Sequence, residues 1–144
     1  RPARRARQGE GRMMGFWTQL ALVMAGGALG SGLRFVLGGW LLRQLGTGFP
    51  WGTLGVNLLG AFCAGLLVVW LLPRPEETLW LRALLMVGVL GGFTTFSAMM
   101  IDVLLLWHET GRPWLLSGYL LASLFGGLLA VWAGWRAGHQ WLLS

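Results

Sequence analysis

The sequence contains few charged side chains and very little cysteine, histidine or acid. Only 11% of its 144 residues are charged, five are Asp or Glu, two are His, and Cys63 is the single cysteine. One cysteine cannot form a disulfide or a cysteine-based metal site within the chain. The residues that could serve catalysis stand at the ends of apolar runs or without clear partners: Asp102, His108, Glu109 and His139. We identify no active site and predict that the protein is not an enzyme.

Most of the chain is apolar. They make up 56% of the chain, and four stretches, residues 16–42, 51–72, 81–107 and 114–135, reach the roughly 20 residues that cross a bilayer. Tryptophan, which prefers the headgroup zone, marks most of their ends. The short connections between them leave no room for a soluble domain. We therefore predict an all-α membrane protein with four transmembrane helices.

The net charge of +6 would suggest a nucleic-acid partner in a soluble protein. Here five of the eleven basic residues precede Met13: Arg1, Arg4, Arg5, Arg7 and Arg12. We interpret residues 1–13 as a basic leader, disordered or not native to the fold, and residues 14–144 as a single four-helix transmembrane domain. We expect the lipid bilayer, and not nucleic acid, to be the partner of the chain.

The remaining arginines give almost no preference for one orientation in the membrane. Four spans place both termini and the loop of residues 73–80 on one side, which carries three arginines: Arg74, Arg82 and Arg136. The opposite side carries Arg43 and Arg112. A bias of three against two is weak under the positive-inside rule, so insertion in both orientations and an antiparallel dimer are possible.

Residues 91–97 interrupt the third span near its middle with two glycines and three hydroxyl residues. This composition favours a broken helix, which frees main-chain amides and carbonyls at membrane depth and often builds an ion site. The alternative is a glycine kink, in which the hydroxyls bond back to their own helix.

Two pairs of polar residues are each spaced four apart and share a helix face: Thr53 with Asn57, and Tyr119 with Ser123. With the broken helix they could form a donor-lined track for a small anion, or each could be a simple interhelical hydrogen bond. The ring of Phe96 presents a positive edge that could border the same track, although packing is the commoner role of such a ring.

Three segments resemble the Fluc (CrcB) family of fluoride channels. They are residues 26–35, GGALGSGLRF; residues 52–60, GTLGVNLLG; and residues 91–97, GGFTTFS. The resemblance runs from about Gly26 to Gly134, in order and through all four spans. It implies a passive, fluoride-selective channel in the bacterial inner membrane that exports fluoride and so limits its toxicity.

The resemblance also implies an antiparallel, dual-topology homodimer with two pores. A structural sodium ion would lie at the dimer interface, held by main-chain carbonyls of Gly91 and Thr94. The pore would be lined by Asn57 as a fluoride donor and by Phe96, Thr53, Ser97, Thr95, Met99, Tyr119 and Ser123. Arg34 would attract anions at a vestibule or anchor its helix.

Met99 stands where the family usually has a second Phe, so half of the expected aromatic pair is missing. We therefore expect Met99 to line the pore without the role of an aromatic ring. Asp102 stands where the family commonly has an acidic residue. We expect it to be a structural partner for an arginine or a helix end. The main rival is a small dual-topology drug or cation exporter. Such an exporter needs a carboxylate in its first span, where this chain has Arg34 and no acid.

Overall fold

The computed structural model describes residues 2–73 and 78–142, with side chains for residues 15–73 and 78–141. The described part consists of helices and short connections, without strands. Helix α1 is Pro2–Leu45, α2 is Trp51–Leu71, α3 covers residues 79–93, α4 is Phe96–Thr110 and α5 is Pro113–Leu142. The prediction for the leader is untested, because Arg1 and the side chains of residues 2–14 lie outside the described residues.

Four helical segments are long and apolar enough to cross a membrane: Gly15–Leu45, Trp51–Leu71, Leu79–Thr110 and Pro113–Trp141. They confirm the predicted four-span, all-helical architecture. The last helix continues beyond the predicted end at residue 135, since the chain there stays helical although its side chains become polar.

Glycine and proline set the helix boundaries. Gly46 and Gly111 follow α1 and α4 with positive φ angles of 90° and 58°, and their amides donate to the carbonyls of Leu42 and Trp107 at 2.9 Å. Residues with a Cβ rarely adopt this conformation, so glycine is suited to end a helix there. Pro113 begins α5, where its missing amide costs no hydrogen bond.

The third span is broken, as predicted, at Thr94 and Thr95. Both residues are extended, with φ and ψ of −81° and 155° and of −152° and 120°. The hydroxyl of Thr95 accepts from the amide of Ala98 at 3.2 Å and so caps α4. Before the break, Arg82–Leu90 form a π-helix, a wider coil that the sequence pattern does not predict.

Glycines let the helices approach closely. A Cβ added at Gly30 would overlap the carbonyl of Val89, and one added at Gly92 would lie 3.0 Å from the Cα of Gly27. Close main-chain approach at small residues is a common way to pack helices in lipid. It joins α1 tightly to α3.

Helices α2 and α5 meet in the same way. A Cβ added at Gly65 would overlap the carbonyl of Val131, and one at Gly134 would overlap that of Phe62. At Gly126, earlier on α5, the nearest atoms belong to the Leu58 side chain. The closest contact between α2 and α5 therefore lies about one to two turns after Gly126.

Candidate functional site

Asn57 on α2 bonds to the break of the third span. Its Nδ2 donates to the carbonyl of Thr95 at 3.0 Å, and its Oδ1 accepts from the Thr95 amide at 2.8 Å. The Asn57 side chain thus supplies Thr95 with both of the main-chain hydrogen-bond partners that the broken helix does not provide. Because a side-chain amide has two N–H groups, one donor of Asn57 remains after the bond to Thr95.

The break leaves the carbonyls of Gly91 and Thr94 without their helical donors. In a continuous helix these oxygens would accept from the amides of Thr95 and Ala98. Those amides donate instead to Asn57 Oδ1 at 2.8 Å and to Thr95 Oγ1 at 3.2 Å. Main-chain oxygens freed in this way suit a hard cation such as sodium.

A cavity of about 470 Å³ lies against the break, and we call it the break cavity. Its lining comes from α2, from both sides of the break and from the start of α4: Asn57, Gly60, Ala61, Ala64, Met86, Leu90, Gly91, Thr94, Thr95, Phe96 and Met99. It brings together six of the residues selected from the sequence. The Phe96 side chain is 71% exposed in the single chain, so this region is open on one side.

A second cavity, of about 530 Å³, lies between α1, α2 and the break, and we call it the Arg34 cavity. Arg34, Thr53 and Thr95 all line it. Thr95 lines the break cavity as well, so the two cavities adjoin at this residue. Arg34 is therefore placed beside polar residues of the site.

A third cavity, of about 210 Å³, is bordered by Thr53 and by two acids, Asp102 and Glu109. We call it the Asp102 cavity. Thr53 lines both this cavity and the Arg34 cavity, just as Thr95 lines the Arg34 cavity and the break cavity. The three cavities therefore follow one another along α2 and α4 through shared hydroxyl residues.

Tyr119 lies inside the helix bundle. Its side chain is fully buried, packs with Leu54 and Leu106, and donates from its hydroxyl to Asp102 Oδ2 at 3.1 Å. The expectation that Asp102 pairs with an arginine or a helix end is thus replaced by a bond to a tyrosine. The sequence reasoning missed this pair because its members lie on different helices.

The other predicted residues are distributed around the same region. Ser97 is exposed, and its Oγ lies 3.4 Å from Thr95 Oγ1. Ser123 Oγ is buried, and the described residues offer it no hydrogen-bond partner. Neither Tyr119 nor Ser123 lines the break, Arg34 or Asp102 cavity.

Ser31 is a polar residue of the site that the sequence reasoning overlooked. Its hydroxyl donates to the carbonyl of Gly92 at 3.4 Å, and its side chain lines the Arg34 cavity. Its position three residues before Arg34, on the same face of a helix, was the available signal.

The chain matches a known protein family over most of its length. Residues 21–135 match the family described as CrcB-like protein, Camphor Resistance (CrcB). A protein of Xanthomonas euvesicatoria pv. vesicatoria named fluoride-specific ion channel FluC is 54% identical over 129 residues, which are 90% of this chain and 96% of that protein.

Two further bacterial relatives carry the same name. That of Xylella fastidiosa strain 9a5c is 50% identical over 123 residues, 85% of each chain. That of Agrobacterium fabrum is 46% identical over 121 residues, 84% of this chain and 96% of the other. With a family match over most of the chain and four membrane-spanning helices, this multi-pass membrane protein belongs to the CrcB family.

Proposed function

We propose that the protein is a passive, fluoride-selective ion channel that lets fluoride leave the cell across the inner membrane. One observation carries the proposal: Asn57 keeps a free N–H donor beside a cavity at the break of a membrane helix. The relatives named fluoride-specific ion channel FluC, at 46 to 54% identity, supply the identity of the ion.

The proposed path runs along the break cavity and the Arg34 cavity, which adjoin at Thr95 and have no acid in their lining. Hydroxyl groups of Thr53, Thr95 and Ser97 and the amide of Asn57 offer hydrogen-bond donors, and the ring edge of Phe96 offers a positive rim. Donors of this kind replace the water that a small anion loses when it enters a narrow pore. Arg34 raises the local anion concentration, because opposite charge attracts over the width of a cavity.

In the proposal Tyr119 and Ser123 form the polar side of α5 next to this path, although neither lines the break cavity or the Arg34 cavity. Ser123 supports it most directly, because its hydroxyl is buried and the described residues give it no partner. A buried polar group without a partner is costly and therefore favours a missing ligand, water or ion.

We further propose that two copies assemble antiparallel, each chain closing the other's site. A single chain leaves Phe96 71% exposed and Ile101 57% exposed on the side of the broken helix. Four helices cannot both enclose a polar path and cover it from lipid, whereas a second copy can do so. The near balance of arginines on the two sides fits insertion in both orientations.

The freed carbonyls of Gly91 and Thr94 would hold a sodium ion between the two copies. Bound there, the ion would supply positive charge that offsets carbonyl dipoles brought together at the interface. Side chains of the chain keep these oxygens available. Asn57 and Thr95 accept from the main-chain amides that would otherwise donate to the two carbonyls. Sodium in this proposal is structural and is not transported.

Purified protein in liposomes tests the function. Fluoride efflux is recorded with an ion-selective electrode, after a potassium ionophore removes the electrical limit, and chloride efflux is recorded in parallel. We expect rapid fluoride efflux, chloride efflux at the level of protein-free vesicles, and no requirement for a proton gradient. Efflux of an organic cation driven by a proton gradient, without fluoride efflux, would contradict the channel and support the exporter.

A further inference from the structure

A fourth cavity lies on another face of the helices and takes no part in the proposed ion path. Its volume is about 670 Å³, within the range of ligand sites. Its main walls are Val36, Trp40 and Arg43 on α1, Leu59 and Cys63 on α2, and Phe93 on α3. We call it the Arg43 groove.

The groove and the break cavity share Leu90 on α3 but use different sides of α2. Leu59 and Cys63 come two residues after Asn57 and Ala61, which is about 200° around a helix. The second copy of the proposed dimer would therefore cover the break cavity and leave the Arg43 groove toward the membrane. Val36 and Trp40 are 64% and 50% exposed, as expected for side chains that face lipid.

Arg43 is the one charged residue among those lining the groove. It lies in the last turn of α1, one turn after Trp40, at the level where a span meets the headgroups. Its guanidinium turns back along the helix, since a Cβ added at Gly39 would lie 3.6 Å from Nη1. The cation thus lies at the mouth of an otherwise apolar groove.

An apolar groove with a cation at its mouth complements a phospholipid, which has an apolar tail next to an anionic phosphate. We propose that the Arg43 groove binds one acyl chain of an anionic phospholipid and that Arg43 pairs with its headgroup. Basic residues beside clefts between membrane helices bind anionic headgroups in this way. Detergent or zwitterionic lipid would fill the apolar part but would lack the net negative charge that complements Arg43.

Native mass spectrometry of the detergent-purified protein tests this proposal. Phosphatidylglycerol and phosphatidylcholine with identical acyl chains are titrated, and the bound fraction of each is measured. We expect tighter binding of phosphatidylglycerol, and a loss of about fivefold in its affinity with Arg43→Gln. Arg43→Lys should keep most of the preference.

Arg112→Gln is the matched control. Arg112 lies at the same membrane side, over the ring of Trp114 at 5.8 Å, and does not line the groove. It should leave the affinity unchanged. Equal losses with both Gln variants, or equal binding of the two lipids by the unmodified protein, would overturn the proposal, because either result reduces the effect to general surface charge.

A groove-filling substitution tests the position of the tail. Cys63→Phe should weaken both lipids to a similar extent, because it removes space without changing charge. Unchanged lipid binding would overturn the assignment to this groove, as would rapid Cys63-to-Cys63 cross-linking of two copies by a short bismaleimide. Fluoride efflux is measured separately, so loss of the lipid site and loss of the channel remain distinguishable.

Discussion

Asn57 and Thr95 form a reciprocal pair in which one side chain takes the place of a helical main chain. The amide of Asn57 donates to the Thr95 carbonyl at 3.0 Å and accepts from the Thr95 amide at 2.8 Å. The residue proposed to donate to the ion is therefore the residue that fixes the break. Positioning and ion recognition depend on the same amide.

Asn57→Asp should lower fluoride efflux by at least tenfold. The carboxylate can still accept from the Thr95 amide, but it loses the donor to the Thr95 carbonyl and places negative charge in the anion path. A like charge at close range in a partly dehydrated site costs more than the ~1.4 kcal/mol that corresponds to tenfold. Efflux from liposomes measures the loss, and size-exclusion chromatography shows that the variant still folds. Unchanged efflux from folded protein would remove Asn57 from the pore.

Met99→Phe should raise fluoride efflux several-fold. Met99 lines the break cavity next to Phe96, and a ring there would restore the second positive edge that a thioether lacks. Met100→Phe is the matched control, because Met100 does not line that cavity. Equal rates in Met99→Phe and the unmodified protein would show that the second ring is dispensable here.

Gly134→Ala should destabilise the fold by about 1 to 3 kcal/mol, since a Cβ there overlaps the carbonyl of Phe62 and forces α2 and α5 apart. The control on the same helix is Gly127→Ala, where nothing lies within 4 Å of the added Cβ. That change should be neutral or stabilise by up to about 1 kcal/mol. Thermal unfolding in detergent compares the two, and equal melting temperatures would contradict the close contact.

Tyr119→Phe should lower the free energy of unfolding by about 1 to 2 kcal/mol, because the hydrogen bond between the buried hydroxyl and Asp102 is lost. In an Asp102→Asn background the same change should cost less, since that bond is already weakened. A double-mutant cycle by thermal unfolding measures this coupling. Additive costs would show that the two residues act independently.

Replacing sodium with N-methylglucamine at constant ionic strength should lower the melting temperature of the detergent-solubilised dimer and promote its dissociation. Thr94→Ser should keep the sodium dependence, because the proposed ligand is the main-chain carbonyl and the hydroxyl bonded to the Leu90 carbonyl is retained. Identical stability in both salts would contradict a structural sodium site.

The sequence predicted most of the architecture because lipid imposes a simple rule on apolar length. The second span was expected at residues 51–72 and is Trp51–Leu71. The break was expected within residues 91–97 and lies at Thr94 and Thr95. The π-helix of Arg82–Leu90 was not predicted, because a hydrogen-bond register leaves no mark on a pattern of apolar side chains.

Sequence by itself determined the membrane class, the four spans, the broken helix and the family, since each depends on local composition or on short motifs. Only the tertiary structure decided which polar groups meet. Asn57 bonds to Thr95, which is 38 positions away in the sequence, and Tyr119 bonds to Asp102, which is 17 positions away. The close approach of α2 to α5 depends on Gly65 and Gly134 meeting main-chain carbonyls. Such contacts arise from the way separate helices pack, which is not encoded in the spacing within any one of them.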